Sequence, residues 1–265
     1  MAHLTTSNLQ SMWENKIEQV KPFFNPDEKG FTDFIDIAIH DLDAPLRKLS
    51  LFIERLTAGY ENITDNAENT ELIKKINSCI TDMRALINEL SELNEAGTEI
   101  QYDHVNISEL MKEILEELQP EITEKKVTVQ SSALPVLQGS SEQLKKLLKH
   151  IIDNAIRFNS GNESPQIKIN SSKLGEEEKQ FRQLEITKEY YKIEVTDNGI
   201  GIKEGYEQKI FEPFVRLNSK PAFAGSGLGL AICKKIIENH GGEIYAESLE
   251  NSGTQITLIL PEIAN

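Results

Sequence analysis

Cysteine is scarce in this chain. Cys79 and Cys233 lie far apart within helix-like patterns and no Cys-x-x-Cys pair is present. Both therefore read as reduced core residues, as expected in a reducing compartment. Long apolar runs are lacking too: no stretch approaches the roughly 18 consecutive apolar residues that a membrane span needs. The N-terminus shows no basic region followed by an apolar run, which argues against a signal peptide. Basic residues are outnumbered, 28 Lys and Arg against 43 Asp and Glu, for a formal charge of −15. Such a field repels DNA phosphates, so nucleic acid is not the expected partner. A nucleotide is not excluded, because local backbone N–H groups and a metal ion outweigh the global sign. No internal repeat stands out. These features together read as a cytoplasmic chain.

What is present is an ordinary globular balance, 38% hydrophobic and 27% charged residues over 265 positions. That length suits a small domain plus a medium one. From Ile35 the apolar residues Ile35, Ile39, Leu42, Leu46, Leu49, Ile53 and Leu56 alternate in steps of four and three, the seam of a coiled coil. Gly59 ends the pattern and ENITDNAENT is polar and turn-rich. A second seam follows through Leu72, Ile76, Cys79, Met83, Leu86, Leu90 and Leu93, closed by Gly97. Two such helices joined by a short loop predict an antiparallel hairpin. Ile73, Ile80 and Ile87 widen the second stripe, so pairing two hairpins into a four-helix bundle would bury both stripes. A homodimer through residues 30–98 is therefore expected. Residues 1–29, with Trp13, Ile17 and Val20 ahead of Pro22 and Pro26, read as the tail of an upstream signalling helix or linker.

Beyond Gly97 helices and strands alternate. HVNISELMKEILEEL predicts a strand and then a helix capped by Ser108, and SEQLKKLLKHIIDNAIRF predicts a helix capped by Ser140 or Ser141. VTVQ and PVLQ read as short strands. QIKINSS and YYKIEVTD read as a hairpin joined through the polar stretch around GEEEKQ. GGEIYAES and TQITLIL form a last strand pair after the helix LGLAICKKIIEN. The expectation is an α+β fold: a mostly antiparallel sheet with helices on one face.

Several residues invite chemistry. His40 falls one position past the seam residue Ile39, so it points away from the core, with Asp41 beside it and Pro45 bending the helix just beyond. By itself a surface His-Asp pair is commonplace. DNGIGI follows an apolar strand: its glycines let the backbone approach a flat ligand, and Asp197 can accept a hydrogen bond from an exocyclic amine such as that of adenine. The same residues equally describe a tight turn. GSGLGL lies immediately before a helix, where glycine amides make an anion site suited to phosphate. It lacks both the G-x-G-x-x-G spacing and the Gly-Lys-Ser/Thr of a Walker loop, which disfavours both familiar phosphate folds. His150, Asn154 and Arg157 share a helical face that is either solvated or able to hold Mg²⁺ through the Asn amide and phosphate through Arg157.

Together these segments resemble the sensor histidine kinases of two-component signalling. HDLDAPLR resembles the phosphoacceptor box, HIIDNAIRFN the asparagine box, DNGIGI the first glycine box, FEPFVRLN the phenylalanine box and GSGLGLAICKKIIENHGG the second glycine box. Their order and spacing match over roughly residues 30–262, and the wording of the first box is closest to the bacteriophytochrome-like branch. The resemblance implies a helical dimerisation and phosphotransfer domain over 30–98, then an α/β-sandwich ATP-binding domain of the Bergerat type over 99–265. It implies ATP and Mg²⁺ as cofactors, a response regulator receiver domain as partner and a sensory domain upstream. His40 would be the nucleophile and Asp41 its hydrogen-bonding base. Asn154 would hold Mg²⁺ and Arg157 would contact phosphate. Asp197 would select adenine in a pocket shaped by Gly199 and Gly201. Phe214, Gly225, Gly227, Leu228 and Gly229 would complete the nucleotide site beside a short lid from about Val215 to Ala224.

Three positions depart from the family's wording. His150 stands where a first asparagine is frequent, leaving the metal to Asn154 and water. Asp43 replaces a common basic residue or glutamine, and a carboxylate there raises the pKa of His40. Ala44 stands where many relatives carry the Thr or Asn that positions water for dephosphorylation, so phosphatase activity is not expected. Two rival readings remain: a Bergerat-fold ATPase that uses water as acceptor, and a dimeric module that keeps the fold without turnover.

Overall fold

The computed structural model describes residues 45–49, 51–53, 67–97, 101–159, 165–217, 225–249 and 253–262. His40, Asp41, Asp43, Ala44 and the expected linker over 1–29 lie outside the described residues. So do positions 218–224, most of the expected lid. Two compact units make up the chain, Met1–Asn88 and Glu89–Asn265.

In the first unit, residues 45–49 and 51–53 are helical, and helix α1 (Ala67–Glu95) begins there. The helix starts inside the stretch expected as loop, since extending a formed helix costs little per residue. Leu72, Cys79 and Leu86 are buried at intervals of seven, as the seam requires. Ile73 remains 50% exposed beside them, and Leu51 and Ile53 are each 45% exposed.

The second unit is an α/β sandwich. Strands β1 (Asp103–Asn106) and β3 (Val136–Gly139) pair antiparallel as a small ribbon, with helices α2 (Ile107–Glu117) and α3 (Gln119–Glu124) and strand β2 (Thr128–Ser131) between them in sequence. Helix α4 (Ser141–Arg157) leads to β4 (Gln166–Lys173), and helix α5 (Glu176–Phe181) to β5 (Glu189–Asp197). Helix α6 (Gly229–Asn239), β6 (Glu243–Ser248) and β7 (Thr254–Glu262) complete the unit. The main sheet runs β2-β4-β5-β7-β6, parallel at β2–β4 and antiparallel elsewhere. Ile167 and Ile169 on β4 alternate inward with the pleat. Seven buried apolar residues of α4, Leu144 to Ile156, bring the α4 stripe into the same core.

Caps fix where the helices begin. Asn106, not Ser108, caps α2: its backbone is extended (φ −77°, ψ 102°) and its Oδ1 accepts from Ser108 N at 3.1 Å and Glu109 N at 3.3 Å. Ser108 is already helical, and its hydroxyl instead exchanges hydrogen bonds with the Leu134 backbone, donating at 3.2 Å and accepting at 3.0 Å. Of the two serines considered for α4, Ser140 is the cap, its Oγ accepting from Gln143 N at 3.3 Å. Its own N–H donates to Nε2 of buried His240 at 3.1 Å, while His240 Nδ1 lies 2.8 Å from the Ile236 carbonyl. Burial lowers the pKa of this histidine, so it stays neutral and serves as a structural acceptor.

The polar stretch between β4 and β5 carries α5 rather than a bare tip. Leu174, Tyr190 and Ile259 form a small cluster against which Leu184 and Tyr245 pack, and Arg182 stacks over Tyr245 at 4.3 Å. Both cysteines are buried and free. Among the described residues no helix is long and apolar enough to cross a membrane.

Candidate active site

A cavity of 240 Å³ opens in the second unit between the end of α4, the loop after β5 and the start of α6. At one end stands Asp197, the last residue of β5. Its Oδ1 accepts from Gly199 N at 2.7 Å and from Thr254 N at 3.2 Å. The second partner comes from β7, whose Gln255 pairs with Thr196 next door. Burial lifts the Asp197 carboxyl to about 6, against the pull of these two N–H groups. The loop then closes on α4: Ile200 N donates to the Phe158 carbonyl at 3.1 Å. A Cβ at Gly199 would lie 2.5 Å from that same oxygen, so the close approach demands glycine.

At the other end the glycine-rich segment enters α6. Gly227 has φ +81°, and a Cβ on it would sit 2.8 Å from the Phe214 carbonyl carbon. Phe214 itself holds φ +64° and donates its N–H to Gly227 O at 3.0 Å, so the two segments brace one another. Leu228 is fully buried, and its N–H donates to Ser226 Oγ at 3.0 Å. Ser226 Oγ in turn hydrogen-bonds Oε2 of Glu89.

Between these ends lies the polar face of α4. Asn154 and Arg157 line the cavity. Arg157 Nη2 pairs with Asp153 Oδ2 at 2.5 Å, while its Nη1 lies 3.0 Å from where a Gly225 Cβ would be. The guanidinium is thus held at the mouth of the glycine-rich segment. His150 Nε2 sits 3.0 Å from Glu92 Oε2, and this hydrogen bond is the chief reason the Glu92 carboxyl is held below its ordinary range. The apolar walls include Ile151, Ile202, Val215, Leu230 and Ile256. One acidic acceptor, an apolar slot and a helix N-terminus with a nearby cation make a shape that accepts a purine base at one end and phosphates at the other.

Residues 139–264 match the family model of the histidine kinase-, DNA gyrase B-, and HSP90-like ATPases. Over 229 residues the chain is 31% identical to cyanobacterial phytochrome A of Nostoc sp., covering 86% of this chain and 28% of that protein. It is 28% identical over 234 residues to the adaptive-response sensory kinase SasA of Synechococcus sp., covering 84% and 57%. Residues 139–264 therefore carry the ATPase domain of this family, and 84% of the chain is similar to a sensory kinase.

The fold recurs in solved structures. Histidine kinase ThkA in complex with response regulator protein TrrA matches with a TM-score of 0.65 at 22% identity, over 99% of this chain and 68% of that one. Acinetobacter baumannii histidine kinase AdeS matches with a TM-score of 0.61 at 18% identity, over 85% and 98%. The chain spans less than two thirds of the length of phytochrome A and of SasA.

Of the residues expected from sequence, Asn154, Arg157, Asp197, Gly201, Gly225, Gly227 and Gly229 line one cavity of the second unit. Gly199, Phe214 and Leu228 stand behind the lining and act through backbone geometry. His40 and Asp41 fall outside the described residues. Sequence reasoning missed Thr254 and Glu89. Each meets the site from a distant segment, so no local pattern announces it. Ser226 sat inside a motif read only for its glycines.

Proposed function

We propose that this chain is an ATP-dependent protein-histidine kinase that phosphorylates its own His40 and passes the phosphoryl group to an aspartate of a response regulator receiver domain. The observation that carries this reading is the two-ended cavity, with Asp197 at the adenine end and the glycine-rich entry to α6 at the phosphate end.

Asp197, held by Gly199 and Thr254 through Oδ1, accepts the adenine amino group, while Gly199 lets the loop close on the Phe158 carbonyl and Gly201 lines the cavity beside it. Asn154, a neutral hard-oxygen donor in the cavity lining, would hold a Mg²⁺ together with phosphate oxygens and water. Among the described residues no group of three or more His, Cys, Asp and Glu gathers to hold a metal by itself, which suits such an arrangement. Arg157, steadied by Asp153, contacts the phosphates, and the amides before α6 cradle them. Phe214 and Leu228 hold that cradle in shape.

A ring nitrogen of His40 attacks the γ-phosphorus, the bond between the β–γ bridging oxygen and the γ-phosphorus breaks, and ADP departs. Asp41 bonds the other ring nitrogen and takes its proton as positive charge develops. Transfer to the receiver carboxylate then restores neutral His40. Positioning and charge neutralisation supply most of the acceleration, as in other phosphoryl transfers.

We assign residues 30–98 to dimerisation and phosphotransfer and 99–265 to ATP binding. Exposed Leu51, Ile53 and Ile73 in the first unit support a homodimer. A cytoplasmic site of action and an upstream sensory domain complete the reading.

Incubation with γ-labelled ATP and Mg²⁺ tests it. Acid-labile, alkali-stable label on the wild type, lost in His40→Gln, is the expected outcome. Label that persists in the variant refutes the assignment. Free phosphate without labelled protein favours an ATPase that uses water as acceptor, and neither product favours a silent dimeric module.

A further inference from the structure

We infer that Glu89 is a built-in competitor for the phosphate end of the cavity and a specificity-determining residue that sets how strongly the site favours nucleotides over nucleosides. The inference rests on the ATP-site reading and adds to it an anion supplied by the protein itself.

Half-buried Glu89 lines the same cavity as Asn154, Arg157, Gly225 and Gly227. Its Oε2 hydrogen-bonds Oγ of Ser226, in the middle of the glycine-rich entry to α6. Three carboxylates at intervals of three along one side of α1 set its position. Glu92 Oε2 meets His150 Nε2 at 3.0 Å, and Glu95 Oε2 meets Lys146 Nζ at 2.9 Å. The Glu95 carbonyl also accepts from Gln143 Nε2 at 3.3 Å. His150 and Lys146 are four residues apart on α4, so the last turns of α1 lie in fixed register along it and direct Glu89 into the cavity.

The place it occupies is chemically telling. Ser226 Oγ accepts from Leu228 N at 3.0 Å, which leaves its single proton to donate to Glu89. The carboxylate thereby sits before the N-terminus of an 11-residue helix, where amide dipoles favour negative charge. A phosphate chain seeks the same ground for the same reason. Two anions do not share it without repulsion, so seating phosphate displaces Glu89 and breaks a charge-assisted hydrogen bond. Adenosine reaches the Asp197 end without disturbing Glu89. The penalty therefore falls on phosphorylated ligands alone.

Calorimetric titration of the full chain with adenosine and with the Mg²⁺ complex of a non-hydrolysable ATP analogue reads this directly. In Glu89→Gln the analogue is expected to bind about tenfold tighter, the scale of one charge-assisted hydrogen bond, while adenosine is unchanged. Glu89→Asp, which keeps the charge but withdraws the carboxylate from Ser226, gives the same direction with a smaller gain and serves if the amide variant folds poorly. In a Ser226→Ala background the effect of Glu89→Gln shrinks, as coupled partners require. Unchanged or weaker analogue binding in Glu89→Gln overturns the inference, as does an equal shift for adenosine, the mark of a merely structural role. If the wild type binds neither ligand, the ATP-site reading itself fails and the inference with it.

Discussion

Asp197 joins structure to chemistry at a single residue. Burial at the end of β5 lifts its carboxyl to about 6 from an ordinary 3.8. The folded protein therefore holds this proton more tightly than the unfolded chain does. The group's stabilising contribution is fully present below about pH 4 and is lost as pH rises through about 6, so at neutral pH the ionised carboxylate costs stability. Asp197→Asn is expected to raise stability at pH 7 by about 2–3 kcal/mol, with the gain vanishing near pH 4, as read from urea unfolding at both values. The same substitution weakens ATP binding, because an amide is a poorer acceptor for the adenine amine. On the proposed role in adenine binding, function keeps a charge that folding alone would discard. Asp197 was legible because it closes an apolar strand and opens a glycine-rich loop. Its partner Thr254 was not, because 57 residues separate them and only the β5–β7 register brings them together.

At the scale of elements, helix starts carry the site. Ser140 caps α4 with its hydroxyl and ties its own N–H to buried His240 beyond α6, so α4 and α6 are set relative to one another at one end. Ser140→Ala is expected to cost about 1 kcal/mol, visible as a lowered melting temperature, because it removes the cap acceptor and leaves the His240 contact in place. Periodicity gave α4, α6 and the hairpins β4–β5 and β6–β7 correctly, since each has one clearly apolar face. It placed the cap of α2 two residues late, on Ser108, because residue type does not reveal which of two neighbouring polar side chains has the extended backbone a cap needs. It also left α5 as loop. That helix is only six residues long and has no apolar face to announce it, its one buried residue being Lys179. The pairing of β2 with β4 rather than with β3 is likewise a tertiary choice that four-residue strands do not specify.

For the whole molecule, the heptad seam and the exposed apolar residues beside it belong to one argument. Leu72, Cys79 and Leu86 are buried, while Ile73 on the flank of the same helix remains half exposed. A hydrophobic stripe of that width is what a second hairpin covers in a four-helix bundle. Ile73→Lys is therefore expected to shift the sedimentation mass from twice 29.9 kDa toward the monomer while leaving the ATP-binding unit folded. A mass unchanged by the lysine places the dimer contact elsewhere. The switch in period after Gly97 marks where strands begin, whereas the compact units divide earlier, between Asn88 and Glu89 within α1. The docking of Glu89, Glu92 and Glu95 against α4 and the α6 entry was not readable, for on the sequence alone they are three acids on the polar side of a helix.

The central claim is that this cavity delivers the γ-phosphoryl group of ATP to His40. Its most direct test is to incubate the full chain with ATP and Mg²⁺ and map the phosphoryl group by mass spectrometry under alkaline conditions, in the wild type, His40→Gln and Asn154→Asp. The expected result is phosphohistidine at position 40 in the wild type and none in either variant, with His40→Gln still binding the ATP analogue as tightly as the wild type. A phosphoryl group on another residue, or normal phosphorylation of His40 in Asn154→Asp, contradicts the account.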